Sequence, residues 1–225
     1  MFRFNCPASD KCTIPVTSPN GSVMAKCLML DVDGVLVDGR PGDGLRWDTD
    51  LSKDLGLDPN LLAEEFFKTE WTAIVEGRAE LLPILEAVLK RVAPTIKAPD
   101  LIDYWFQGDS GIVETTVADV REARRKGIPV YLATNQDHMR AIYLMQTMAL
   151  GDEVDGIVYS AKAGCRKPKP EFFALAAREV GRQPGELLLV DDTLPNIEAA
   201  RSAGWKAVHW DGTERLSTIL HRSVS

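Results

Sequence analysis

The sequence predicts an α/β fold: a parallel sheet flanked by helices, interrupted after its first strand by an all-helical insertion. Three observations carry that reading. Short apolar runs alternate with amphipathic stretches of about ten residues through the second half of the chain, the pattern of strands joined by crossover helices. The block from Trp47 to Phe106 is helical in period throughout and contains no strand-like run. The run from Cys27 to Val32 matches the later strands in length and apolarity, so it joins their sheet across that block.

In chain order, residues 1–23 are rich in Ser, Thr, Pro and Asn without periodicity and read as a flexible N-terminal tail. The first strand is expected over 27–32, ending in acid and glycine. Within the helical block, Leu81, Leu82, Leu85, Val88 and Leu89 recur at spacings of three and four, one apolar face of a helix. Gly77, Pro94 and Pro99 punctuate it. A helix over 114–126 is stopped by Gly127. There follow a strand over 128–133, a helix over 137–149 and a strand over 156–159. A helix over 171–180, a strand over 186–190, a helix over 195–203 and a strand over 206–209 complete the pattern. The organisation expected is a tail over 1–23, an α/β core from 24–39 and 109–225, and a helical unit over 40–108.

Composition narrows the function. The 225 residues carry 26 Lys and Arg against 33 Asp and Glu, a net charge of −7. An acidic surface repels nucleic-acid backbone and anionic lipid, so neither is the expected partner. No apolar run approaches the roughly 20 residues needed to span a bilayer, and residues 1–23 lack the apolar stretch of a secretory signal. Cys6, Cys12, Cys27 and Cys165 form no CxxC pair, which suits reduced thiols and a cytoplasmic setting. Cys165 stands beside Arg166 and Lys167, neighbours that lower a thiol pKa, and is nonetheless read as a bystander. His138, His209 and His221 are too scattered for a histidine-based zinc site.

Ligands of an open parallel sheet bind beyond the carboxyl ends of its strands. There the sequence sets Asp31-Val32-Asp33-Gly34, Thr134-Asn135, Lys167-Pro168 and Asp191-Asp192. Four carboxylates, one hydroxyl and one ammonium are thus directed at one crevice. Two like charges about 4 Å apart repel by roughly 4 kcal/mol at an effective dielectric near 20. One lysine does not neutralise four acids, so some are protonated or a cation sits among them. All-oxygen ligands favour the hard ion Mg²⁺. Asp31 and Asp33, two apart at a strand end, are expected to address the same side. A DxD pair alone means little among 19 aspartates, and Asp48-Thr49-Asp50 is one with no strand before it.

Taken together the motifs resemble those of the haloacid dehalogenase superfamily, in its phosphatase branch with a helical (C1-type) cap. Asp31-Val32-Asp33-Gly34-Val35-Leu36-Val37-Asp38 is similar to the first family motif, and Ala133-Thr134-Asn135 to the second. Arg166-Lys167-Pro168-Lys169-Pro170-Glu171-Phe172-Phe173 is similar to the third. Val190-Asp191-Asp192-Thr193, followed by Asn196, is similar to the fourth. The resemblance implies a Rossmann-like core with an inserted cap over 40–108. It implies a Mg²⁺-dependent phosphatase acting on a small phosphomonoester, such as a sugar phosphate or phosphoglycolate. Asp31 would be the nucleophile and Asp33 the general acid and base. Thr134, Asn135 and Lys167 would bind the phosphoryl group. Asp31, the Asp33 carbonyl and Asp192 would hold the metal, with Asp191 behind them. An acid at position 33 separates phosphoryl transfer from dehalogenation, in which halide leaves without a proton.

Glu76-Gly77-Arg78 interrupts two helical patterns inside the insertion. It is expected as a surface helix start, with cap-borne substrate specificity as the alternative. Trp71 and Trp105 are expected in the core of the insertion. Gly108-Asp109-Ser110-Gly111 echoes a serine-protease segment, but every histidine lies downstream of Ser110, so it reads as a linker. Two rival functions remain at this point: a phosphomutase using the same Asp31/Asp33 pair, and a non-catalytic binding or regulatory protein.

Overall fold

The computed structural model describes residues 25–224, so the tail expected over 1–23 lies outside the described residues. Strand β1 (Cys27–Leu30) is followed by helices α1 (Leu51–Leu55), α2 (Pro59–Leu62), α3 (Trp71–Val75), α4 (Leu81–Val92) and α5 (Ala98–Gly108). Then come α6 (Glu114–Arg125), β2 (Val130–Thr134), α7 (His138–Ile142), α8 (Leu150–Glu153), β3 (Gly156–Tyr159) and α9 (Ser160–Ala163). The chain continues with α10 (Pro170–Glu179), β4 (Leu187–Asp191), α11 (Leu194–Ser202), β5 (Lys206–His209) and α12 (Leu216–Val224). The strands form one parallel sheet in the order β3-β2-β1-β4-β5. The α/β class is as the sequence predicts. No helix among the described residues is long and apolar enough to cross a membrane.

The central strands bury both faces, as parallel strands covered by helices do. Leu28 and Leu30 of β1, with Leu188 and Val190 of β4, pack on one side with Val120 of α6 and Leu216 and Ile219 of α12. Cys27 and Met29, with Leu187 and Leu189, pack on the other with Phe172 and Phe173 of α10 and Ile197 of α11. The alternation is the period of two of an extended chain.

Three expectations change. β1 ends at Leu30 rather than Val32, because the Val32 carbonyl accepts from the amides of Val35, Leu36 and Val37 in a tight turn. Asp31 and Asp33 therefore stand at the mouth of a turn and not along one strand face. The helix expected over 137–149 is capped as anticipated, Asp137 accepting from Met139 N and Arg140 N, but it is not continuous. It runs into a π turn over Tyr143–Thr147, and Ala149 adopts a left-handed conformation (φ 57°) before α8. Helices α9 and α12 are additions to the elements expected from the sequence. In α12, Leu216, Ile219 and Leu220 stand at helical spacing and all three are buried.

Helices α1 to α5 enclose an apolar cluster of their own. Leu51, Phe66, Leu85, Leu89, Leu101 and Trp105 are buried in it, and Trp71 packs against it. Of the apolar face read in α4, Leu81, Leu85, Val88 and Leu89 are buried and Leu82 is half-buried. The two chain segments leading into and out of this unit hold each other: Asp38 N donates to Gly111 O (2.8 Å) and Gly111 N to Gly39 O (2.9 Å).

Two further contacts seat the unit on the sheet. Arg140, buried on α7, donates to the carbonyls of Phe106 (3.1 Å) and Asp109 at the end of α5. Its guanidinium lies 5.2 Å from the Phe106 ring centroid and 5.4 Å from that of Tyr143. At the other contact, Gly77 follows α3 with φ 69°, and a Cβ there would stand 2.1 Å from the Ala161 carbonyl oxygen of α9. A side chain at this position meets both a backbone clash and a disfavoured φ. Gly77→Ala is expected to cost about 1–3 kcal/mol in chemical denaturation. An unchanged midpoint would show that the loop does not rest on Ala161.

Candidate active site

The turn after β1, the end of β2, the loop after α9 and the end of β4 meet at a cleft of about 450 Å³. Asp31, Asp33, Thr134, Asn135, Lys167 and Asp192 line it, together with Arg166 and Asn196. Asp191 does not: it is fully buried behind the cleft. A larger cavity, about 650 Å³, opens on the far side of Gly34 and Asp192 toward Trp210 and Arg215. It contains neither Asp31 nor Lys167, so the site residues expected from the sequence gather in the smaller cleft.

Lys167 is the organising charge. Its ammonium, 1 % exposed, sits 3.0 Å from Asp31 Oδ2 and 2.5 Å from Asp191 Oδ2. Burial alone would lower its pKa, but the carboxylates of Asp31 and Asp191 outweigh that and hold it above the ordinary lysine value. The Asn135 side chain fastens the loop that carries it, donating to Lys167 O (3.0 Å) and accepting from Lys167 N (2.9 Å). Asp191 is saturated with donors: Thr193 N and Asn196 Nδ2 reach Oδ1, and Lys167 and Asn196 reach Oδ2.

Asp31 accepts from its neighbour's amide, Val32 N, at 2.8 Å. Burial pushes its carboxyl up to about 7; Lys167 opposes this, while Asp191 and Asp33 add to it. Asp33 is open to the cleft, and Gln136 Nε2 donates to its Oδ2 at 2.6 Å. The enclosing walls raise Asp33 to about 6, Asp109 adding to the shift and Arg140 and Gln136 opposing it. The Thr134 hydroxyl is buried with no protein partner, a donor left for a ligand at the end of β2.

Oxygens of Asp31, Asp191 and Asp192 lie within 4.8 Å of one another. An all-carboxylate set holding more negative charge than Lys167 neutralises fits a hard divalent cation. Gly34 is what lets Asp192 approach, since a Cβ there would stand 2.4 Å from Asp192 Oδ2. With Asp191 saturated, Asp192 retains the free carboxylate oxygen on the cleft.

The cleft thus gathers Asp31, Asp33, Thr134, Asn135, Lys167 and Asp192 and leaves Asp191 beneath them. Glu76 departs from the expected surface helix start. It ends α3, is 4 % exposed, and pairs with Arg78 (3.0 Å) and with Lys169 of the core (2.5 Å). Cys165 is not activated: burial raises its pKa, Glu171 contributing. Asp48 and Asp50 are spent on Arg46 and Arg40. Sequence reasoning missed Gln136, Asp109 and Arg140. Only Gln136, next after Thr134-Asn135, had a positional signal.

Comparison with known proteins shows the family. The family model of haloacid dehalogenase-like hydrolases matches residues 25–204. The sesquiterpene phosphatase astK of Aspergillus oryzae is 33 % identical over 101 residues, covering 45 % of this chain and 50 % of that protein. The fructose-1-phosphate phosphatase YqaB of Escherichia coli is 25 % identical over 187 residues, 80 % of this chain and 94 % of YqaB. The match to the first of these, as to several curated relatives, spans about half the relative's length. Among solved structures, the HAD family enzyme BT-2542 of Bacteroides thetaiotaomicron, in complex with magnesium and inorganic phosphate, superposes with a TM-score of 0.72. That match is 18 % identical and covers 87 % of this chain and 98 % of that one.

The crowded carboxylates have a consequence for stability. Asp31 binds its proton more tightly in the folded chain than in the unfolded one, so its contribution is favourable near pH 4 and is lost as pH rises toward 7. The upper bound is about 4 kcal/mol. In chelator, Tm is expected to fall across that window. Asp31→Asn leaves one ammonium facing one carboxylate and is expected to raise Tm above wild type at pH 8; a lower Tm would contradict the charge ledger.

Proposed function

The chain belongs to the haloacid dehalogenase-like hydrolase family, and on that premise we propose that it is a Mg²⁺-dependent phosphatase. It hydrolyses a small phosphomonoester through an aspartyl-phosphate intermediate. The observation that carries this reading is the pairing of a buried carboxylate–ammonium couple, Asp31 and Lys167, with the unpartnered Thr134 hydroxyl on one cleft. That is a nucleophile beside cationic and hydroxyl donors for the oxygens of a phosphoryl group. The phosphatase names of astK and YqaB support it.

In this reading the ester's phosphoryl oxygens take the Thr134 hydroxyl, the Asn135 backbone amide and the Lys167 ammonium. Asp31 attacks phosphorus, the bond to the alcohol oxygen breaks, and Asp33 gives that oxygen its proton. Asp33, now ionised, takes a proton from water; the water oxygen attacks the acyl phosphate and frees Asp31 and inorganic phosphate. A carboxyl near 6 suits both duties, since it changes protonation close to neutral pH. Gln136 fixes the direction in which Asp33 presents its oxygens. Asp31, the Asp33 carbonyl and Asp192 would hold the magnesium ion, which when bound would supply positive charge against the carboxylates and the transferring group. Asp191, its oxygens all engaged, keeps Lys167 and Asn196 in place.

We assign residues 40–108 the role of a cap over the α/β core of 24–39 and 109–225. The alcohol lies between cap and core, where water is excluded as the cap seats. A sugar phosphate or a phosphoglycolate-like acid fits the size of the cleft. The free thiols of Cys27 and Cys165 fit a cytoplasmic enzyme.

Phosphate release from a panel of phosphomonoesters, with Mg²⁺ and with chelator, tests the reaction. Metal-dependent release is expected; isomerised product without free phosphate would indicate a mutase, and no turnover a binding role. Asp31→Asn is expected to cut turnover at least about 1,000-fold while the far-UV circular dichroism is kept; retained activity would remove Asp31 as nucleophile. Asp33→Ala is expected to lose about 100-fold or more on alkyl phosphates and much less on an activated aryl phosphate. Equal losses would remove Asp33 as the acid.

A further inference from the structure

Glu76 is a nearly buried carboxylate on the helical unit, and three cations surround it. Arg78 Nη2 is 3.0 Å from its Oε2, Lys169 Nζ 2.5 Å from its Oε1, and Arg166 Nε 3.7 Å from the same oxygen. Arg78 comes from the same loop; Arg166 and Lys169 flank Lys167 on the core. Hydrogen bonding to Lys169 and Arg78 holds Glu76 below the usual carboxylate range, so it is ionised. One negative charge thus gathers three positive ones, and counting the exposed Glu171 nearby still leaves an excess of cation. This happens in a chain of net charge −7.

The position matters as much as the sign. Arg166 lines the same cleft as Asp31, Asp33 and Thr134. Lys167 is spent on Asp31 and Asp191. Arg166 is therefore the cation on the cleft wall that is not bound to the carboxylates of the floor, and its contact with Glu76 is too long for a hydrogen bond. Arg78 and Lys169, more than half exposed along their side chains, each keep donors that Glu76 does not use.

We propose that Arg166, with Arg78 and Lys169 gathered by Glu76, forms a subsite for a second anion on the substrate, so that the preferred ester carries a carboxylate or a further phosphate on its alcohol portion. The inference rests on the phosphatase reading and narrows its substrate class: a phosphorylated hydroxy acid or a bisphosphate is favoured over a neutral sugar monophosphate. Arg166 touches the anion. Glu76 is a positioning residue, holding cations that would otherwise repel one another beside the cleft.

A matched pair of esters tests it. 3-Phosphoglycerate and glycerol 3-phosphate differ chiefly in a carboxylate where the other carries a hydroxymethyl group. Their Kd values are measured by calorimetry on Asp31→Asn protein with Mg²⁺, so that binding is read without turnover. The carboxylate ester is expected to bind at least about tenfold more tightly, as one to two charge-assisted hydrogen bonds provide. The preference is expected to shrink as salt is raised. Arg166→Gln and Arg78→Gln, both at solvent-accessible side chains, are expected to reduce it to within about threefold. Equal Kd values for the two esters, or a preference that survives both substitutions, would overturn the subsite. If the preference holds and wild-type protein hydrolyses neither ester nor any other, the phosphatase reading fails and the anion subsite stands.

Discussion

A single ammonium, that of Lys167, is held out of water between Asp31 and Asp191, and the rest of the site is arranged around that fact. Its partners come from the turn after β1 and the end of β4, while it arrives on the loop after α9. A buried charge without a partner costs several kcal/mol, so the fold depends on at least one of these carboxylates facing the ammonium. Neighbouring groups answer this need. Asn135 bridges both sides of the Lys167 backbone, and Asn196 and Thr193 donate to Oδ1 of Asp191, the oxygen that the ammonium does not reach. The order of the sheet, with β1 between β2 and β4, makes this convergence possible.

One ammonium is nevertheless too little. Asp31, Asp33 and Asp192 stand on the same cleft, and both Asp31 and Asp33 hold their protons well above the usual carboxylate range. The floor is in effect a site short of positive charge, the condition that suits a hard divalent cation. The wall toward α3 has the reverse character, with Arg166, Lys169 and Arg78 gathered on one buried carboxylate. On the proposed reading, an acidic floor with Arg166 on the wall would orient an anionic substrate.

The helical unit is tied to this cleft at several points. Its entry and exit segments bond to each other, Arg140 grips the last carbonyls of α5, and Gly77 lies against Ala161. Arg140 also lies near enough to Asp33 to lower its proton affinity, and Asp109 raises it. The segment that connects the two parts of the chain therefore shares charges with the residue proposed as acid. Positioning of the helical unit and the chemistry of Asp33 draw on the same few groups.

Much of this was legible along the chain because it obeys local rules. Strand and helix periods placed β1 to β5, α4, α6, α10 and α11, and the strand ends alone brought Asp31, Asp33, Thr134, Asn135, Lys167, Asp191 and Asp192 to one edge of a sheet. Local rules failed where a tertiary contact overrode them, as at the turn that cuts β1 at Leu30 and at the π turn that breaks the helix after Asp137. By itself the sequence determined the fold class and the acidic, oxygen-rich character of the cleft, because strand polarity and residue order are written in neighbouring positions. Only the tertiary structure decided that Asp191 lies behind the cleft, that Gln136 and Arg140 govern Asp33, and that Glu76 is buried among cations of the core. Those relations join residues as much as 107 positions apart, since Asp33 and Arg140, both in the α/β core, meet only when β1 and β2 have paired across the intervening helical unit. No local pattern in the chain records them.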